Sequence, residues 1–141
     1  MEDLVMLQFL TIAAGWALAA HGGQHAEHFM NCAKVCAECQ LQCDSCFQHC
    51  LGMTAEGKKE HAETAQLCVD CAECCKTCAT LCARNSPLAG PMLECCAVCC
   101  ETCADACEKH PDDEHMAACA KSCRECAKSC QEMAKMVGSG S

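Results

Sequence analysis

From Cys32 to Cys130, one set of small apolar positions recurs in steps of four and three residues, the spacing at which a helix returns to the same face. The stretch NCAKVCAECQLQCDSCFQHC sets the pattern, with cysteine at Cys32, Cys36, Cys39, Cys43, Cys46 and Cys50. The rhythm resumes at Cys68, Cys71, Cys75, Cys78 and Cys82, with Cys74 beside the stripe. A third block holds Cys96, Cys100, Cys103 and Cys107, flanked by Cys95 and Cys99, and a fourth holds Cys119, Cys123, Cys126 and Cys130. The intervening Ala, Glu, Lys, Gln and Met residues favour helix. Four amphipathic helices are expected, each with a thiol stripe.

The breaks between blocks carry turn residues. LGMTAEGKK offers Gly52, Gly57 and Thr54 as an N-cap candidate; RNSPLAGP holds Asn85, Pro87, Gly90 and Pro91; KHPDDEH places Pro111 after a helix and Asp112 as an N-cap candidate. Short connections make consecutive helices antiparallel, so residues 21–137 are expected to form an all-α, antiparallel up-down-up-down four-helix bundle with a thiol-lined core.

Residues 1–20, MEDLVMLQFLTIAAGWALAA, differ in kind. The apolar run Leu4–Ala20 is slightly short for a membrane span of about 20 residues. It is similar to the apolar core of a signal peptide, but Glu2 and Asp3 stand where positive charge is usual. Two readings stand: a targeting or anchoring segment that touches a membrane through residues 4–20, or an extra apolar N-terminal helix that packs on the bundle or on another subunit. Residues 138–141, Gly-Ser-Gly-Ser, read as an appended tail.

Composition sharpens the picture. Cysteine supplies 22 of 141 residues, so an ordered interior must be lined with it. A net charge of -9 and an aromatic content of 3% argue against nucleic-acid binding. A disulfide scaffold does not fit either. Helical neighbours three or four apart hold their Cβ atoms about 5–6 Å apart, whereas a disulfide needs about 3.5–4.5 Å. Cysteine is also a small core residue, and an interior made of it is weak unless bonds to metal supplement the packing.

Thiolate-only sites select Cu(I), zinc or iron–sulfur clusters. Structural zinc generally uses short cysteine pairs brought together by turns, and these pairs lie within helices. Cys68, Cys71, Cys74 and Cys78 reproduce a ferredoxin spacing, with Ala79 where proline usually follows. Cu(I) accepts two or three soft ligands with little geometric demand, and all 22 cysteines are candidate ligands for multiple ions. A multi-zinc or iron–sulfur protein and a self-assembling structural bundle are the alternatives. An enzyme is disfavoured, because no cysteine is singled out beside a histidine base.

In the antiparallel arrangement His49, Met53, His61, His110, His115 and Met116 meet at one mouth, where imidazole and thioether would make an exchangeable port. The opposite end gathers Phe29, Met30, Met92, Leu93, Met133 and Met136 as an apolar plug. His21, His25, His28 and Met30 suggest a second, flexible copper-collecting segment.

CETCADACEKHPDDEHMAACAKSCRECAKSCQEMA resembles the C-terminal half of the bacterial copper storage proteins, and HAETAQLCVDCAECC with CARNSP is similar to their second helix and following loop. The resemblance spans residues 28–136. It implies thiolate-bound Cu(I) filling a bundle core, histidines near the open end, and a homo-oligomer, often a tetramer. His110 and His115 match the turn histidines, and Met116 stands where many relatives carry cysteine. The first twenty residues lack the twin-arginine start of exported members, while the His-rich segment after them looks like theirs. Cytoplasmic and exported, periplasmic locations therefore both stand, and the copper chaperone or acceptor is unnamed.

Overall fold

The computed structural model describes the backbone of residues 2–138 and the side chains of residues 25–138. Four helices follow one another: α1 (Glu2–Ala55), α2 (His61–Ala83), α3 (Ala89–Cys107) and α4 (Glu114–Gly138). α1 packs on α2 and α4, and α3 packs on the same two, so the helices stand at the corners of a square and the diagonal pairs stay apart. This is the expected up-down-up-down bundle.

Two of the three connections end the preceding helix in the same way. Gly57 (φ 94°) and Asn85 (φ 48°) adopt the left-handed conformation that glycine and asparagine tolerate best. The next N–H then reaches back over the turn, from Lys58 to the Met53 carbonyl and from Ser86 to the Leu81 carbonyl, each at 3.0 Å. Both proposed N-caps shift. Thr54 lies in the last turn of α1, and its hydroxyl donates to the Cys50 carbonyl at 2.8 Å. Asp113, not Asp112, caps α4: its Oδ1 accepts from the N–H groups of His115 (3.0 Å) and Met116 (3.3 Å).

The interior is almost entirely cysteine and alanine, with Leu93, Met116 and Met133 as its large apolar side chains. Such small residues let the helices approach closely but remove little apolar area from water, so the packing stabilises the bundle weakly. On the surface, Arg124 of α4 clamps α3 through Glu101, Asp105 and Glu108. At the end opposite the histidines, Leu93 and Met133 are buried, and Phe29, Met92 and Met136 pack against them. Met30 is 43% exposed and does not join this plug.

His25 and His28 are exposed positions within α1, so that part of the His-rich segment is helical rather than a flexible linker. Side-chain packing of the apolar segment 1–20, and the side chain of His21, lie outside the described residues. Among the described residues, no helix is long and apolar enough to cross a membrane.

Candidate metal centre

Nineteen cysteines are buried, every one except Cys74, Cys95 and Cys99. The four-three spacing turns each of the nineteen to the bundle axis, and the antiparallel topology stacks them in register. One quartet, Cys36, Cys78, Cys96 and Cys130, takes one thiol from each helix, with all sulfurs within 4.8 Å of one another. Further along follow Cys39, Cys71, Cys75 and Cys100, then Cys39, Cys43, Cys71 and Cys123. Cys43, Cys103, Cys119 and Cys123 come next, and Cys46, Cys68, Cys107 and Cys119 lie nearest the histidines. The last four quartets share members in succession, and the first joins them through Cys96 and Cys75, 3.8 Å apart, so the thiols form one continuous column rather than separate four-ligand sites.

Contacts within one helix and between helices are of similar length. Cys39–Cys43, Cys71–Cys75 and Cys96–Cys100 lie 4.0, 3.9 and 4.0 Å apart. Across helices, Cys36–Cys130, Cys43–Cys123 and Cys75–Cys100 lie at 3.6, 3.6 and 3.5 Å. A thiolate here is stabilised by the S–H groups around it. Cys130 first, then Cys36 and Cys82, lower Cys78 to about 5, and Cys100 chiefly lowers Cys71 to about 6. The donors are held as thiols in turn: Cys36, Cys100 and Cys130 are all raised, each first by a bond to Cys126. Burial, followed by the charge of Cys46, pushes Cys50 up to about 12. A soft cation binding in the column displaces the protons that its thiols carry.

The proposed port residues do converge. His49 and His115 stack with ring centroids 4.6 Å apart, and His61 and His110 stack at 4.1 Å. Met53, His61 and His110 line an open cleft together with Lys58, Lys109 and the 111–114 turn. Met116 lies deeper than a surface port ligand, fully buried, with its Sδ 3.4 Å from Cys46 Sγ and 3.9 Å from Cys50 Sγ. It joins the mouth to the column.

Sequence reasoning missed Asp113, the residue that organises this mouth. Its Oδ2 bonds His49 Nε2 at 2.7 Å while its Oδ1 caps α4. Burial works to raise the Asp113 carboxyl, but the His49 hydrogen bond and the N–H groups of Met116 and His115 outweigh it and hold it below the ordinary carboxylate range. The signal available was its place three residues before Met116, where an N-cap carboxylate reaches the helix N–H groups. His110 accepts from or donates to the Thr64 hydroxyl at 3.3 Å, and burial followed by the neighbouring His61 lowers its pKa. His61 is 4% exposed and neither ring nitrogen has a hydrogen-bond partner. Its nearest carboxylate oxygens, on Asp113 and Glu60, are 3.9 and 4.0 Å away. A buried imidazole without partners costs about 1–3 kcal/mol, which coordination to a metal would relieve.

The ferredoxin-like spacing does not assemble a site. Cys68, Cys71 and Cys78 face the core from an unbroken helix, whereas Cys74 sits on the outer side beside Cys99, with their sulfurs 3.0 Å apart.

Comparisons with known proteins agree with this geometry. The sequence profile of the copper storage protein family (Csp) matches residues 24–135. No curated protein sequence matches the chain. A cytosolic copper storage protein from Streptomyces lividans, solved with five coppers, superposes with a TM-score of 0.73 at 28% identity, covering 80% of this chain and 97% of that one. The Cu(I)-bound copper storage protein BsCsp3 gives a TM-score of 0.70 at 32% identity, covering 76% of this chain and 98% of its own. Apo copper storage protein 3 from Bacillus subtilis gives 0.67 at 34% identity, with 74% and 96% covered. Matched over most of its length in both sequence and fold, the chain belongs to the copper storage protein family.

Proposed function

We propose that this protein stores Cu(I) along the axis of its bundle, bound by the nineteen buried cysteines. The observation that carries the reading is the run of overlapping quartets, in which Cys39, Cys43, Cys71, Cys119 and Cys123 each belong to two. Isolated zinc sites want four ligands each, with tetrahedral geometry. A soft monovalent ion that accepts two or three thiolates is served better by a column of shared ligands. Copper is the cargo here: thiolates bind it, thiols lose protons to it, and the surrounding helices keep water and oxidants away. The relatives point the same way, since the S. lividans structure carries five coppers and BsCsp3 is Cu(I)-bound.

The same geometry supports loading through the histidine mouth. His61, buried and unpartnered, and His110 beside it offer the first exchangeable nitrogen ligands. The Met116 thioether then bridges to Cys46 and Cys50, where stronger thiolate binding draws the ion inward. No turnover is involved, so this is a store rather than an enzyme.

The test is an anaerobic titration of reduced apo-protein with Cu(I) against a chromogenic Cu(I) chelator, with metal counted per chain. Uptake of about ten or more equivalents is expected from nineteen thiols sharing ligands. Saturation below about four, with zinc or iron in the protein as purified, would refute storage and return the thiols to a structural or redox role.

A further inference from the structure

The three cysteines outside the column are not scattered. Cys74 of α2 and Cys99 of α3 are half-buried on the outer side of the α2–α3 seam, their sulfurs 3.0 Å apart. Cys95, one turn before Cys99 on α3, is exposed and lies within interaction range of both. Helix packing does not call for cysteine at partly exposed positions, where alanine or a polar residue would serve.

This cluster also has a way inward. Cys99 shares a shallow groove with Cys71, which belongs to two quartets in the middle of the column. Leu67, Asp70, Val98 and Thr102 complete the groove. From Cys71 Sγ the next sulfurs are Cys100 at 3.7 Å and Cys75 at 3.9 Å. The outer cluster therefore lies beside the column, with Cys99 and Cys71 lining one groove, away from the histidine mouth.

We propose that Cys74, Cys95 and Cys99 form a separate surface Cu(I) site, which takes the ion from a thiol-bound donor and passes it to the column through Cys71. The proposal rests on the storage reading above. Copper stays Cu(I) throughout. As each S–Cu bond forms, the incoming thiol gives up its proton and the departing donor thiolate takes one up. Three thiolates match the coordination that Cu(I) accepts, and the exposed Cys95 lets a donor ligand approach while the site is only partly filled.

The experiment compares wild type with the Cys74→Ser/Cys95→Ser/Cys99→Ser variant as full chains, reduced and anaerobic, using the Cu(I)–glutathione complex as donor. The variant is expected to bind about one Cu(I) fewer per chain and to take up copper from the thiol complex several-fold more slowly. A variant that matches wild type in either count or uptake rate overturns the proposal. A maleimide footprint of wild type is independent of any effect of the substitutions on folding. Cys95 should label rapidly in the apo-protein and be protected after loading, and labelling at the apo rate in the loaded protein would also overturn it. The two readings fail differently: a wild type that binds fewer than about four Cu(I) refutes storage itself, whereas a full wild type with an indistinguishable variant refutes only the surface site.

Discussion

Asp113→Ala removes two interactions at once. As N-cap of α4 the carboxylate accepts from the N–H groups of His115 and Met116, a role worth about 1 kcal/mol. Its bond to His49 is short, 2.7 Å, between side chains 15% and 27% exposed. A charge-assisted bond of that kind, discounted for its access to solvent, contributes about 1 kcal/mol more. The expected loss is therefore about 2 kcal/mol, or about 8 °C in Tm for a bundle of this size. The pH dependence follows from the lowered pKa of Asp113. A depressed carboxyl contributes its stability in full above its unfolded value of about 3.9, and loses it as pH falls through the folded value below that. Thermal unfolding of the reduced apo-protein, followed by circular dichroism at about pH 7 and again at about pH 2.5, should show the gap between wild type and variant closing in acid. Asp113→Asn keeps a capping oxygen but no charge, and should lose roughly half as much. The reasoning is refuted if Asp113→Ala lies within about 0.5 kcal/mol of wild type at neutral pH, or if the gap is the same at both pH values.

Two further substitutions probe the path of the metal. Cys123 belongs to two quartets, so Cys123→Ser should cost more than one Cu(I) per chain in the anaerobic titration; an unchanged count would contradict ligand sharing. Met116→Leu conserves volume at a fully buried position and should change apo stability by less than about 1.5 kcal/mol. Made in the Cys74→Ser/Cys95→Ser/Cys99→Ser background, so that only the histidine mouth is left to load the column, it should slow Cu(I) uptake from a chelator complex while leaving capacity nearly intact. Unchanged uptake would remove Met116 from the path.

The sequence by itself determined the helices, their antiparallel order and which cysteines face inward. The four-three spacing is a property of the helix, and a stripe that recurs in four blocks joined by short turns has one economical way to bury itself. It also brought His49, His61, His110 and His115 to one end, because chain direction alone decides which helix termini meet. What it could not supply was contact across the chain. That Cys36 meets Cys78, Cys96 and Cys130 depends on the axial register of four helices, and one-dimensional spacing does not encode register. Thr54 and Asp112 looked like helix caps because capping chemistry is local, but the helix boundaries that select Asp113 were set by packing of the whole turn. Met116 reads in sequence only as a port ligand at the mouth, and its depth depends on Cys46 and Cys50, about seventy residues away along the chain. Cys74, Cys95 and Cys99 were legible as residues off the stripe. Only tertiary structure decided that they lie together, because two of them sit on one helix, the third on its neighbour, and the α2–α3 seam closes them into one cluster.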